Sequence, residues 1–253
     1  MQQDMYTNIN LPSRCRVYEG VSEDQVKIRT LKGKDEKLIA ELTIDNAERK
    51  FVMLMRNLIQ GIDPMKLTLG DRQFIILWEA INSFSTRLPY ELQCSVCTMK
   101  SDIDVDLTKI EYNELPEGYS EPYEVKLSDG TIVKLRSLTV EDEIKVMDLE
   151  KGNKNTYLYK YALGIVDENR GVWDNVRFLE ELNVRDLAVI RQFYEKFYHG
   201  PIMKYAYTCP NCGAGEVAAI PFQLDLLLPS GETIERRIGT GLPVNVPSEV
   251  KQG

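Results

Sequence analysis

Cys94-Ser-Val-Cys97 and Cys209-Pro-Asn-Cys212 are the stretches on which the reading of this chain turns. They stand at the same place in two copies of one pattern. The first copy opens with Val26-Lys-Ile-Arg-Thr-Leu31 and then Asp35-Glu36; the second opens with Val133-Lys-Leu-Arg-Ser-Leu138 and then Asp142-Glu143. The openings are 107 residues apart and the cysteine pairs 115 apart, so the second copy carries about eight extra residues between these landmarks. Each half begins with a strand-helix signal and ends in two thiols. Two chelating pairs supply the four thiolates of a closed tetrahedral zinc site. The 111 residues between the pairs far exceed the roughly 15–20 of a compact zinc ribbon; duplication accounts for the gap, each half offering one knuckle. The spacing therefore predicts one structural zinc on Cys94, Cys97, Cys209 and Cys212. A redox or disulfide role and unligated thiols are the alternatives. A thioredoxin-type site places its Cys-x-x-Cys between a strand and a helix N-terminus, whereas both motifs here lie between strands.

Working outward, residues 1–25 contain Asn10-Leu-Pro-Ser13 and little periodicity, and read as an extended N-terminal arm. From about Asp35 to Gln60 apolar residues recur at helical spacing, with Asp45-Asn46 dividing the run into two helices and Gly61-Ile-Asp-Pro64 ending the second. Thr68-Leu-Gly-Asp71 reads as a helix N-cap with a carboxylate three residues on. The helix it opens ends at Leu88-Pro-Tyr90, and a strand then delivers Cys94. Ile103, Val105 and Leu107 alternate with Asp102, Asp104 and Asp106 on the strand that leaves the knuckle. In the second half Ser128-Asp129-Gly130 marks a hairpin, Thr139-Val-Glu-Asp142 caps a helix, residues 157–166 form another, and Asn183-Val-Arg-Asp186 opens a third at the position of Thr68–Asp71. The tail, 229–253, is rich in Gly and Pro. The expected organisation is an α+β chain made of an arm (1–25), a first repeat (26–125), a second repeat (126–228) and a C-terminal extended tail (229–253), the repeats joined through one four-cysteine zinc site.

Composition narrows the function. A net charge of −8 without a basic cluster disfavours nucleic acid, whose phosphates are met by basic surface. No apolar run is long enough to span a membrane, and the start of the chain lacks a signal-peptide pattern, so cytosolic synthesis with reduced thiols is expected. No phosphate loop, His-Glu-x-x-His or Gly-x-Ser-x-Gly motif is present, and the single histidine, His199, leaves one possible centre for a dyad; no enzyme is expected. His199 reads as a helix C-terminal cap and Cys15 as a free thiol of the arm. Asp102–Asp106 resembles the start of a calcium loop, but Leu107 stands where glycine is needed and Asn113 where glutamate is needed. Trp78 and Trp173 are expected in cores or at the seam between halves.

Leu11-Pro-Ser13, Val26-Lys-Ile-Arg29 with Asp35-Glu-Lys37, Gly70-Asp-Arg72, Leu88-Pro-Tyr90 ahead of Cys94-x-x-Cys97, and Leu138-Thr-Val-Glu-Asp-Glu143 form an ordered set that resembles the T-even-type phage baseplate protein family. Members of that family are associated with the hub and central spike of contractile tails. The resemblance, over roughly residues 10–230, implies a virion structural protein of the baseplate, in the hub or wedge region, working in a hetero-complex with other baseplate and tail proteins. A transient assembly factor is the alternative within the same setting, and a zinc-ribbon nucleic-acid-binding module is the alternative outside it. Residues 1–20 and 236–253 are expected to order only against neighbouring subunits.

Overall fold

The computed structural model describes residues 5–41, 46–152, 155–220 and 224–227. The fold is mixed α+β, with helices packed around small antiparallel sheets. In chain order the elements are β1 (Thr7–Asn8), β2 (Lys27–Ile28), α1 (Gly33–Ala40), α2 (Ala47–Leu58), β3 (Ile59–Gln60), α3 (Leu69–Glu79), β4 (Arg87–Gln93) and β5 (Lys100–Asp106). There follow β6 (Tyr112–Asn113), β7 (Tyr123–Lys126), β8 (Ile132–Leu135), α4 (Val140–Glu150), α5 (Tyr157–Leu163), α6 (Val172–Glu181), α7 (Val184–Lys196), β9 (Gly200–Pro201), β10 (Lys204–Thr208) and β11 (Gly215–Ala219). The three N-caps read from sequence are in place: Thr68, Thr139 and Asn183 each accept the backbone N–H three residues on, from Asp71, Asp142 and Asp186. Each satisfies one of the donors that the first helical turn leaves free.

Two separate apolar clusters form. The first gathers Ile28, Phe51, Leu54, Leu58, Ile75 and Ile76 among others, and Ile220, Leu226 and Leu227 return to it from the far end of the described chain. The second gathers Leu115, Val133, Leu135, Leu179, Ile190 and Phe193.

Inside both clusters the same polar contacts occur. Arg29 Nη1 and Nη2 donate to the Asp35 carboxylate at 2.7 and 3.0 Å, and Arg136 donates in the same way to Asp142 at 2.6 and 3.0 Å. In each case the aspartate also accepts a backbone N–H three residues earlier, from Lys32 or Thr139, and the arginine donates to the next residue's carbonyl. The backbone N–H of Ser13 donates to Asp71 at 2.9 Å, as that of Ser128 does to Asp186 at 2.8 Å. The strand pairs follow suit: β1 runs antiparallel to β2, which also pairs with β3, while β7 runs antiparallel to β8, whose Leu135 bridges Ile165.

These contacts correct the expectation for the N-terminal arm. Residues 5–25 do not wait for another subunit: Leu11 is fully buried, Ile9 and Cys15 nearly so, and β1 is the outer strand of a three-stranded sheet. The stretch lacks periodicity because it is an irregular connection between two short strands, and its apolar side chains are buried by turns rather than by a repeating face. The expectation for residues 236–253 lies outside the described residues. Two smaller readings also change. Pro89 does not end a helix; α3 ends in a wide turn closed by Ser85 N–H to Ala80 O, and Pro89 sits within β4, an edge strand where its missing N–H is tolerated. Trp173 is 52 % exposed on α6, against Tyr159, and belongs to neither core nor seam.

The two clusters meet at a seam built on α3. Leu69 N–H donates to Leu138 O and Val140 N–H to Leu67 O, a short antiparallel bridge about Thr68 and Thr139. Because α7 ends at Lys196 and its C-cap is Phe197, His199 is not the capping residue. Its ring lies buried in the seam, Nδ1 3.0 Å from Phe197 O and Nε2 2.7 Å from Thr68 Oγ1. Gly70 allows this approach: a Cβ there would stand 1.4 Å from His199 O. Arg72 and Glu143 form an ion pair across the same seam.

Candidate metal centre

The β4–β5 and β10–β11 hairpins each carry one Cys-x-x-Cys in the connecting turn. The turns have one conformation. Cys94 N–H donates to Met99 O at 3.0 Å and Thr98 N–H to Cys94 O at 3.0 Å; Cys209 N–H donates to Ala214 O at 2.8 Å and Gly213 N–H to Cys209 O at 2.9 Å. Both turns need a left-handed residue after the second cysteine, and it is Gly213 (φ 73°) in one and Thr98 (φ 60°) in the other. Glycine takes this conformation freely, whereas a β-branched residue is strained in it.

This placement brings all four sequence-identified cysteines together, their Sγ atoms within 4.8 Å of one another. Cys94 and Cys212 are 3.7 Å apart and Cys97 and Cys209 3.8 Å apart, each cross-turn pair far beyond the ~2.05 Å of a disulfide. A tetrahedron with metal–sulfur bonds of about 2.3 Å has sulfur–sulfur edges of about 3.8 Å, so the donor set fits a tetrahedral thiophilic ion. Asn211 Nδ2 lies 3.4 Å from Cys97 Sγ; that contact, followed by the Met99 backbone N–H, draws the Cys97 thiol down to about 6. Cys94 and Cys212 in the same cluster shift the opposite way, Cys94 up to about 12, so without an ion the four thiols share charge unequally.

Glu216, which the sequence reading did not single out, ties the turns together. It accepts the Ser95 backbone N–H at 2.9 Å, the Ser95 hydroxyl, and the Tyr207 hydroxyl at 2.6 Å. Those bonds, from Ser95 first and then Tyr207, hold its carboxyl below the usual range. Its counterpart at the same offset is Ser101, so comparing the halves could not have found it. Cys15 is not one of the clustered cysteines; its thiol is buried, and burial pushes it up to about 11.

Four cysteines brought together by two hairpins form a cluster compatible with a metal site. The family model described as T4 bacteriophage base plate protein matches residues 9–223, and the chain belongs to that family. The match starts at residue 9, inside the stretch that the fold packs into the first core. No curated protein and no solved structure matches. Among the described residues no helix is long and apolar enough to cross a membrane.

Proposed function

We propose that the protein is a structural component of a contractile phage tail baseplate, in its hub or wedge region, where it holds neighbouring subunits together. In this reading it is a duplicated chain, and one zinc ion on Cys94, Cys97, Cys209 and Cys212 fixes the two repeats relative to each other. The observation that carries the baseplate role is the family match over residues 9–223, and the convergence of four thiols from two hairpins of like geometry carries the cross-link. When bound, the ion supplies a cross-link and nothing more, since four thiolates leave no open position for water or substrate. The chain's own residues set the rest: the two turns orient the sulfurs, Glu216 clamps the turns, and the seam keeps the hairpins side by side.

Duplication is supported by the paired contacts of Arg29 and Arg136, Ser13 and Ser128, and Asp71 and Asp186. The bridge to Ile59 becomes the bridge to Ile165, an offset of 106, while Thr68 and Asn183 stand 115 apart. The added residues thus fall where α6 lies. On this basis the first repeat begins at β1 rather than at residue 26, and residues 229–253 form a separate tail. Exposed Trp173, Tyr157 and Val184 around α5, α6 and α7 are the apolar and aromatic surface that contacts with other baseplate proteins use. Mass spectrometry of purified tails tests the reading: the chain remains in finished particles. A chain present during assembly and absent from finished tails is an assembly factor instead, and overturns it.

A further inference from the structure

The four thiols of the cluster differ in access. Cys94 and Cys209 are buried, Cys97 is half-buried and Cys212 is exposed. The sulfur contacts of 3.7 and 3.8 Å run between the hairpins, and each joins a buried thiol to a more accessible one: Cys94 to Cys212, and Cys209 to Cys97. Two side chains that are not donors to the cluster hold this arrangement. Glu216 on β11 accepts the Ser95 backbone N–H, and Asn211 Nδ2 lies 3.4 Å from Cys97 Sγ. Both reach from one hairpin to the other, so they keep the turns face to face with or without an ion. An accessible thiol beside a second one is the arrangement of redox-responsive cysteines, in which the first is oxidised and the second resolves it.

We infer that the cluster is a site of oxidation by hydroperoxides and closes as two disulfides between the hairpins, Cys94–Cys212 and Cys97–Cys209. The thiolate of Cys212 or Cys97 attacks hydrogen peroxide; the O–O bond breaks, one oxygen stays on sulfur as a sulfenic acid and the other leaves as hydroxide. The buried thiolate across the gap, Cys94 or Cys209, then attacks the sulfenic sulfur, forming the S–S bond and expelling a second hydroxide. Each disulfide thus consumes two thiolates and one peroxide. Closing each pair to the ~2.05 Å of a disulfide is a movement within the hairpin tips. Once both bonds have formed, no thiolate is left to hold a zinc ion, which is released as Zn2+. The tie between the hairpins outlasts the ion, whereas a disulfide within each Cys-x-x-Cys would free one hairpin from the other. A particle assembled among reduced thiols and released into an oxidising medium keeps its cross-link in this way. The inference deepens the reading of the cluster as a zinc cross-link and rests on it for the ion; the disulfide pairing rests on the sulfur positions.

The test treats full-length, zinc-loaded protein with hydrogen peroxide and follows released metal with a chromogenic chelator. Remaining thiols are then blocked by alkylation, and the unreduced protein is digested with trypsin. Cleavage after Arg87, Lys100, Lys204 and Arg236 puts one motif in residues 88–100 and the other in residues 205–236. The expected result is loss of both separate peptides and their recovery as one joined species that a reductant splits, from chains that run as monomers on an unreduced denaturing gel. Fragmentation of the joined species should link Cys94 to Cys212 and Cys97 to Cys209. Peptides recovered apart, each closed by its own disulfide, overturn the proposal. So do thiols left unoxidised or carried on to sulfinic acid, the opposite pairing, and joining only between chains. Metal release with separate peptides sinks this inference and leaves the zinc reading standing; joined peptides from protein that took up no zinc do the reverse.

Discussion

Replacing Asp35 with alanine strands the Arg29 guanidinium in the first core. Side chains of the pair are 2 % and 0 % exposed, against 31 % and 3 % for Arg136 and Asp142. Removing the counter-ion of a buried charge costs about 3–5 kcal/mol, because little water reaches the charge that remains; Arg29 keeps its hydrogen bond to the Thr30 carbonyl. Arg136 keeps solvent access and, beyond a carbonyl contact like that of Arg29, donates to Leu163 O, so Asp142→Ala is expected to cost only about 1–3 kcal/mol. Urea unfolding of the metal-replete proteins at neutral pH measures both. The pH dependence has a definite sign. Burial alone would raise the Asp35 carboxyl, but the Arg29 guanidinium and the Lys32 N–H outweigh it and hold it below the usual range. The pair's contribution is therefore present above the ordinary carboxylate range and is lost as the pH falls. An Asp35→Ala cost equal to or below that of Asp142→Ala would refute the argument that burial, not pairing alone, sets the value.

Thr98→Gly is expected to stabilise the protein by about 1 kcal/mol, because it relieves a β-branched residue at positive φ; thermal unfolding should show a higher Tm. Glu79, fully buried, is pushed up to about 7 by burial, against the hydrogen bond from the Ser83 hydroxyl, with Arg29 lowering and Asp35 raising it. A carboxyl raised in the folded state contributes stability below its unfolded pKa and loses it as pH rises through about 7. Glu79→Gln should therefore flatten the fall in stability between about pH 4.5 and 7. Gly70→Ala places a Cβ against the His199 carbonyl and is expected to cost upwards of about 2 kcal/mol, read by urea unfolding.

Much of the site was legible before any coordinates. Two Cys-x-x-Cys pairs at one offset, with matching N-caps at Thr68 and Asn183, named four residues that the fold brings together. What was missed has physical reasons. The packing of residues 5–25 rests on turns and on a side chain far away, Asp71, so no local period betrays it. The left-handed Thr98 breaks the glycine rule that marks Gly213. Helix α6 was overlooked although Val172, Val176 and Leu179 stand at helical spacing and Leu179 is buried in the second core. His199 offered only its position after a helix, whereas its role depends on Thr68, 131 residues away.

The central claim is that two hairpins are held by one metal ion. The direct measurement is metal analysis of full-length protein purified without chelator, alongside a variant carrying Cys209→Ser and Cys212→Ser. The account predicts about one equivalent of zinc per chain in the natural protein and none retained by the variant. Natural protein that is fully folded and metal-free, with four titratable thiols at the cluster, would contradict it.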